Sequence, residues 1–119
     1  MNIDLKLAGQ VIRATLADSA PAREFAAMLP LNLTMHELFK REKFGSLPRP
    51  VAAAQTQARI CEAGELICWT SGPDLTVFHS RDDQTTTGRF HVLGRIDKGY
   101  EVFAASGPLE VHICLSTTG

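Results

Sequence analysis

The residue types able to do chemistry gather in the second half of the chain. His79, Asp82, Asp83 and His91 are of metal-ligand type and lie close together. Their spacing does not by itself bring them together, and a solvated loop accounts for them, so no metal site is expected. Arg81 and Arg89 bracket the segment SRDDQTTTGR and could clamp a carboxylate between their guanidinium groups, or serve only loop solubility. Trp69 ends a run of strand-like apolar residues, where its indole either fills space or stacks on a ligand. His79 shares strand parity with Val77, which is expected to turn both toward one outer face.

Covalent chemistry finds no support. Cys61, Cys68 and Cys114 are odd in number and lack a C-x-x-C spacing, which argues against a disulfide framework or zinc site. Cys68 and Cys114 fall inside apolar strand patterns and read as small buried hydrophobes. The turn Ser71-Gly72-Pro73 lacks the nucleophile-elbow pattern, and no Ser-His-Asp or Cys-His arrangement stands out. Neither a catalytic residue nor a cofactor is expected.

The elements that must position these residues are short. Ile3, Leu5 and Leu7 alternate with Asp4 and Lys6 as a half-buried strand, and residues 11–16 return after a turn at Ala8-Gly9-Gln10. Asp18 and Ser19 supply cap oxygens, Pro21 suits a first helical turn, and Phe25, Met28 and Leu29 recur at helical spacing. A helix is expected over 19–29, ending before Pro30. Leu31, Leu33 and Met35 suggest a third strand, and FKREKFGSLPRP at 39–50 reads as a surface loop. Residues 51–60 form a weak strand candidate. Residues 65–70 and 75–79 are stronger strands flanking the Gly72-Pro73 turn. Residues 80–89, without a single hydrophobic side chain, predict a long solvated loop. A strand over 91–96, a short helix over 98–106 and a last strand through Leu109, Val111, Ile113 and Leu115 complete the chain.

At 119 residues, with 45% hydrophobic and 21% charged side chains, the composition is that of one globular domain spanning 1–119. Twelve basic residues face thirteen acidic ones, so no basic stripe points to nucleic acid. No apolar run approaches a membrane span, and the opening MNIDLKL reads as a strand rather than a signal peptide. With free cysteines, a cytoplasmic location is expected.

About eight short strands and two short helices fit a mainly β, closed barrel capped at its ends. The order strand, strand, helix, several strands, short helix, strand is also that of the cyclophilins. GELICWTSGP at 64–73 and GRFHVLGRIDKGYEV at 88–102 resemble their C-terminal half in glycine spacing. The chain is similar over nearly its whole length to the small prokaryotic cyclophilin-like proteins, through LPLNLTMHEL, KFGSLP, AGELICW and LGRI. Cyclophilins bind an X-Pro peptide in a groove on the outer face of the barrel, where an arginine polarises the prolyl amide. Counted back from Gly94, their pocket phenylalanine falls on Val77, their tryptophan on Thr85, their histidine on Phe90 and a small alanine on Trp69. Their Arg-Ile-Ile-Pro-Gly-Phe stretch has no counterpart, which leaves open whether an arginine within 39–60, such as Arg49 or Arg59, completes the groove.

The resemblance therefore implies a barrel without prolyl isomerase activity. It would bind a small molecule, peptide or protein on a groove made by Trp69, Val77 and His79, with Arg81, Arg89 and the 80–89 loop at its rim. Three other readings stand beside this: an isomerase with a rearranged pocket, an accessory subunit that docks on an enzyme or self-associates as a homo-oligomer, and an enzyme of unrelated chemistry on the same barrel.

Overall fold

The computed structural model describes residues 1–116. Among the described residues nine strands are present: β1 (Asn2–Leu7), β2 (Gln10–Leu16), β3 (Leu31–Leu38), β4 (Glu42–Ser46), β5 (Thr56–Ile60), β6 (Glu65–Trp69), β7 (Asp74–Phe78), β8 (Thr85–Ile96) and β9 (Leu109–Leu115). Helix α1 (Ala20–Ala26) follows β2, and a single 3₁₀ segment, η1 (Tyr100–Ala104), precedes β9. Every strand pairing is antiparallel, in the order β2-β1-β9-β3-β4-β7-β6-β8, and β2 pairs again with β8 to close an eight-stranded barrel.

Alternation fills the interior. Ile3, Leu5 and Leu7 of β1, Ile12, Ala14 and Leu16 of β2, and Val111 and Ile113 of β9 all point into one core. The two ends are plugged by Phe25 of α1 and Phe103 of η1, both fully buried. Closure depends on Gly94, because a Cβ there would sit 2.2 Å from the carbonyl oxygen of Thr15 on β2. One residue earlier, β8 bulges: Leu66 faces Gly94 while Ile67 faces Val92, which leaves Leu93 unpaired and turned into the core.

The remaining strand, β5, lies outside the barrel. β8 pairs with β6 and β2 only through 90–96, and its first five residues pair with β5 alone. Beneath this two-stranded ribbon is a second apolar cluster, in which Cys61, Ile67, Phe78 and Phe90 are buried and Trp69 and Val92 pack against them. β6 and β7 are thus covered on both faces, which is why ELICW and DLTVF run almost continuously apolar.

Several sequence expectations are corrected. The 39–50 segment is not a loop: it holds β4, paired with β3 and β7, because its charged residues are neutralised by partners. The 80–89 loop is only half as long as expected, since the threonines that begin β8 pair with β5. The first helix stops at Ala26, three residues early, with Ser19 Oγ accepting from the Ala22 N–H at 3.3 Å. The second helix is a 3₁₀ turn. The weak strand candidate at 51–60 contains β5. Among the described residues, no helix is long and apolar enough to cross a membrane.

Candidate functional site

A groove of about 380 Å³ opens on the outer face of β4, β7 and β6. Cross-strand register builds its floor: Phe44 faces Thr76, and Glu42 faces Phe78. Trp69, opposite Phe90, forms one side. Its Nε1–H donates to Thr76 Oγ1 at 3.2 Å, and its ring packs on Phe90 with centroids 5.1 Å apart. Gly88 admits the indole, since a Cβ there, at φ +148°, would lie 2.6 Å from the ring. Thr85, Thr86 and Thr87 line the opposite side. Three consecutive strand residues share one groove only when the strand presents its edge, because side chains alternate.

Arg41 closes one end. Its Nε and Nη2 donate to Glu42 Oε1 at 2.9 and 2.6 Å, and its Nη1 reaches Asp82 Oδ1 at 3.3 Å and the Gln84 carbonyl at 3.4 Å. The guanidinium also lies over the Phe78 ring, 5.2 Å from its centroid. Burial pushes the Glu42 carboxyl above the usual carboxylate range, against the pull of Arg41. Beside this end projects the β3–β4 turn, where Phe39 and Lys40 adopt φ of 57° and 53°. Phe39 is 72% exposed, an uncommon state for an aromatic in the left-handed region.

Of the five residues expected to bind a ligand, only Trp69 lines this groove. Val77 is fully buried in the barrel core. His79 keeps the parity of Val77 but points to the same inner side: its Nε2–H donates to Glu37 Oε1 at 2.9 Å, within a cluster at the η1 end. There the fully buried Lys43 Nζ donates to Glu37 Oε1 and to the Ala105 carbonyl, both at 2.8 Å. Burial raises the Glu37 carboxyl, but the hydrogen bonds from Lys43 and His79 outweigh it and hold the group below the usual range. Arg81 is held at 2.9 Å by Glu62 and by Asp83, and the exposed Arg89 sits opposite Thr56, so neither reaches the groove. Parity was legible in the sequence, but with both faces of β7 apolar it could not say which face was inward.

The metal-type residues are dispersed. His79 is on Glu37, His91 Nε2 is 2.8 Å from the Ala52 carbonyl, and Asp82 is on Arg41. Among the described residues no three His, Cys, Asp or Glu side chains are grouped to hold a metal ion. Cys68 is buried and its thiol is pushed up to about 11, chiefly by burial, which keeps it protonated. Cys114 is only half-buried.

Arg41 is the residue that sequence reasoning missed. It occupies the 39–60 interval left open for an arginine, but in a stretch whose three successive charges read as loop. The signal available was the charge order Arg41-Glu42-Lys43 before an apolar residue, and nothing in it distinguishes paired burial from solvation.

A closed antiparallel barrel with end plugs and an outer groove is the architecture of cyclophilin-like proteins. The model of the cyclophilin-like family matches residues 5–114, and the chain belongs to that family. No curated protein matches it. The solution structure of the hypothetical protein AF2241 from Archaeoglobus fulgidus is similar, with a TM-score of 0.73 at 16% identity over 98% of this chain and 95% of that one. At that identity the likeness concerns the fold alone.

Proposed function

We propose that this protein is a binding module, with its ligand seated in the outer groove against Trp69, and that it does not isomerise prolyl bonds. One observation carries the reading: among the described residues, the only arginine lining the groove is already taken by the protein's own carboxylates. Prolyl isomerisation requires a preorganised donor for the twisted amide. To serve a neutral prolyl amide, Arg41 would have to give up bonds to carboxylates first, whereas binding as such can rest on the open volume and the fixed indole. The groove falls within the size range of small-molecule sites.

A proline-tetrapeptide isomerisation assay on the purified protein should show no acceleration over the uncatalysed rate. Catalysis that disappears in Trp69→Ala would overturn the reading and favour an isomerase with a rearranged pocket. The exposed Leu38 and Phe39 at the groove's rim favour a second reading, docking on a protein partner. A Trp69→Ala variant separates the two, because it should abolish small-ligand binding while leaving protein association through Leu38 and Phe39 in place.

A further inference from the structure

Two openings meet at Arg41. One is the groove over Trp69, and the other is a smaller opening of about 320 Å³ bordered by Asp82 and Gln84. Phe39, Arg41 and Thr85 border both. The two edges of the guanidinium differ. Its Nε and Nη2 edge is on Glu42, whose side chain is 2% exposed, through short bonds. Its Nη1 edge makes only long contacts, 3.3 Å to Asp82 and 3.4 Å to Gln84 O, and the Asp82 side chain is 39% exposed. Asp82 Oδ1 also accepts from the Gln84 N–H at 3.0 Å, a bond that survives if Nη1 is given up.

Building on the groove reading above, we propose that Asp82 is a displaceable internal stand-in for a ligand carboxylate, so that the groove takes an anionic ligand: a carboxylate carried on an apolar or aromatic body. A ligand carboxylate replaces Asp82 on Nη1 like for like, while its body lies against Trp69. A neutral carbonyl would keep only the donor's charge and give up the ion-pair attraction that Asp82 supplies. Stacking on Phe78 and the two hydrogen bonds to Glu42 Oε1 hold the guanidinium in place during the exchange, so binding requires no rearrangement of the anchor. The carboxylate clamp that Arg81 and Arg89 suggest in the sequence is thereby relocated to Arg41.

The test is an NMR titration with N-acetyl-L-phenylalanine and, separately, its neutral amide, following the Trp69 indole N–H and Arg41 Nε–H signals. The acid should bind roughly tenfold more tightly than the amide. Asp82→Asn, at an exposed site that does not endanger folding, should strengthen acid binding several-fold and amide binding by distinctly less. Equal binding of acid and amide with shifts at Trp69 would overturn the carboxylate inference while the groove reading stood. Acid binding unaltered by Asp82→Asn would overturn the stand-in role. No shift at Trp69 with either probe would sink the groove reading itself, and this inference with it. Acetyl-Ala-Ala-Phe acid distinguishes the source: tighter binding than the single amino acid assigns a peptide C-terminus, and equal binding assigns a small acid.

Discussion

Lys43 is the least expected side chain inside the barrel, a fully buried ammonium facing Val77 across the β4–β7 pair. It is tolerated because Glu37 and the Ala105 carbonyl both accept from it. Removing one member of such a buried pair strands the other, which costs about 3–5 kcal/mol. Glu37→Gln should fall toward the lower end, because the Glu37 side chain is 30% exposed. Its pH dependence follows from the sign of the shift. The folded pKa lies below the ordinary value of 4.5, so the ionised contacts contribute fully above that value and are lost as pH falls through the lower folded one. Urea midpoints measured between about pH 6 and pH 3 should therefore fall more steeply for the parent than for Glu37→Gln. Matching slopes would refute the linkage. Trp69 gives a second residue-scale prediction. In Gly88→Ala the new methyl must push the indole away, and since the chain has one tryptophan its emission reports that movement alone. Unchanged emission and ligand binding would show that the groove does not depend on this contact.

At the scale of elements, the outer ribbon of β5 and the start of β8 is what turns a plain barrel wall into a groove. Phe90 joins the two, fully buried beneath the ribbon and against Trp69. Phe90→Ala should destabilise the protein by about 3–5 kcal/mol in chemical denaturation and abolish groove binding. Loss of stability with groove binding intact would mean that the ribbon does not shape the site. The strands that alternate cleanly, β1 and β9, were legible in the sequence because one face is wet. β6 and β7 were legible as strands but not in orientation, since Cys61, Ile67, Phe78 and Phe90 bury the face that would ordinarily be polar. β4 was invisible, because Arg41, Glu42 and Lys43 look solvated until Asp82, Glu37 and the strand register supply their partners. The threonines at 85–87 resemble loop in the sequence because they lack apolar neighbours, although β-branched residues suit a strand whose edge is in use. The groove was therefore visible only through Trp69.

For the molecule as a whole, stability rests on closure of the sheet between β2 and β8. Ala14, Thr15 and Leu16 pair there with Ile96, Arg95 and Gly94. A Gly94→Val substitution drives a side chain into the Thr15 carbonyl and should unfold the protein or lower its stability by more than about 3 kcal/mol. A thermal melt within a few degrees of the parent's would show that the seam can open without loss of the fold. The same closure keeps the groove's walls fixed relative to one another, which suits binding to a preformed surface better than enclosure by a moving lid.

The Ser116 N–H donates to the Asn2 carbonyl at 3.0 Å, so the two described ends of the chain are neighbours on adjoining strands. The order in which the strands are threaded is consequently separable from the shape they make. A short linker joining the ends, with new ones cut at the exposed Ala8-Gly9 turn, would yield a circular permutant with the same barrel and the same groove. In that rearranged chain β1 would follow β9 instead of preceding β2, and a folding route that begins with the β1–β2 hairpin would be slowed while the finished fold stayed the same.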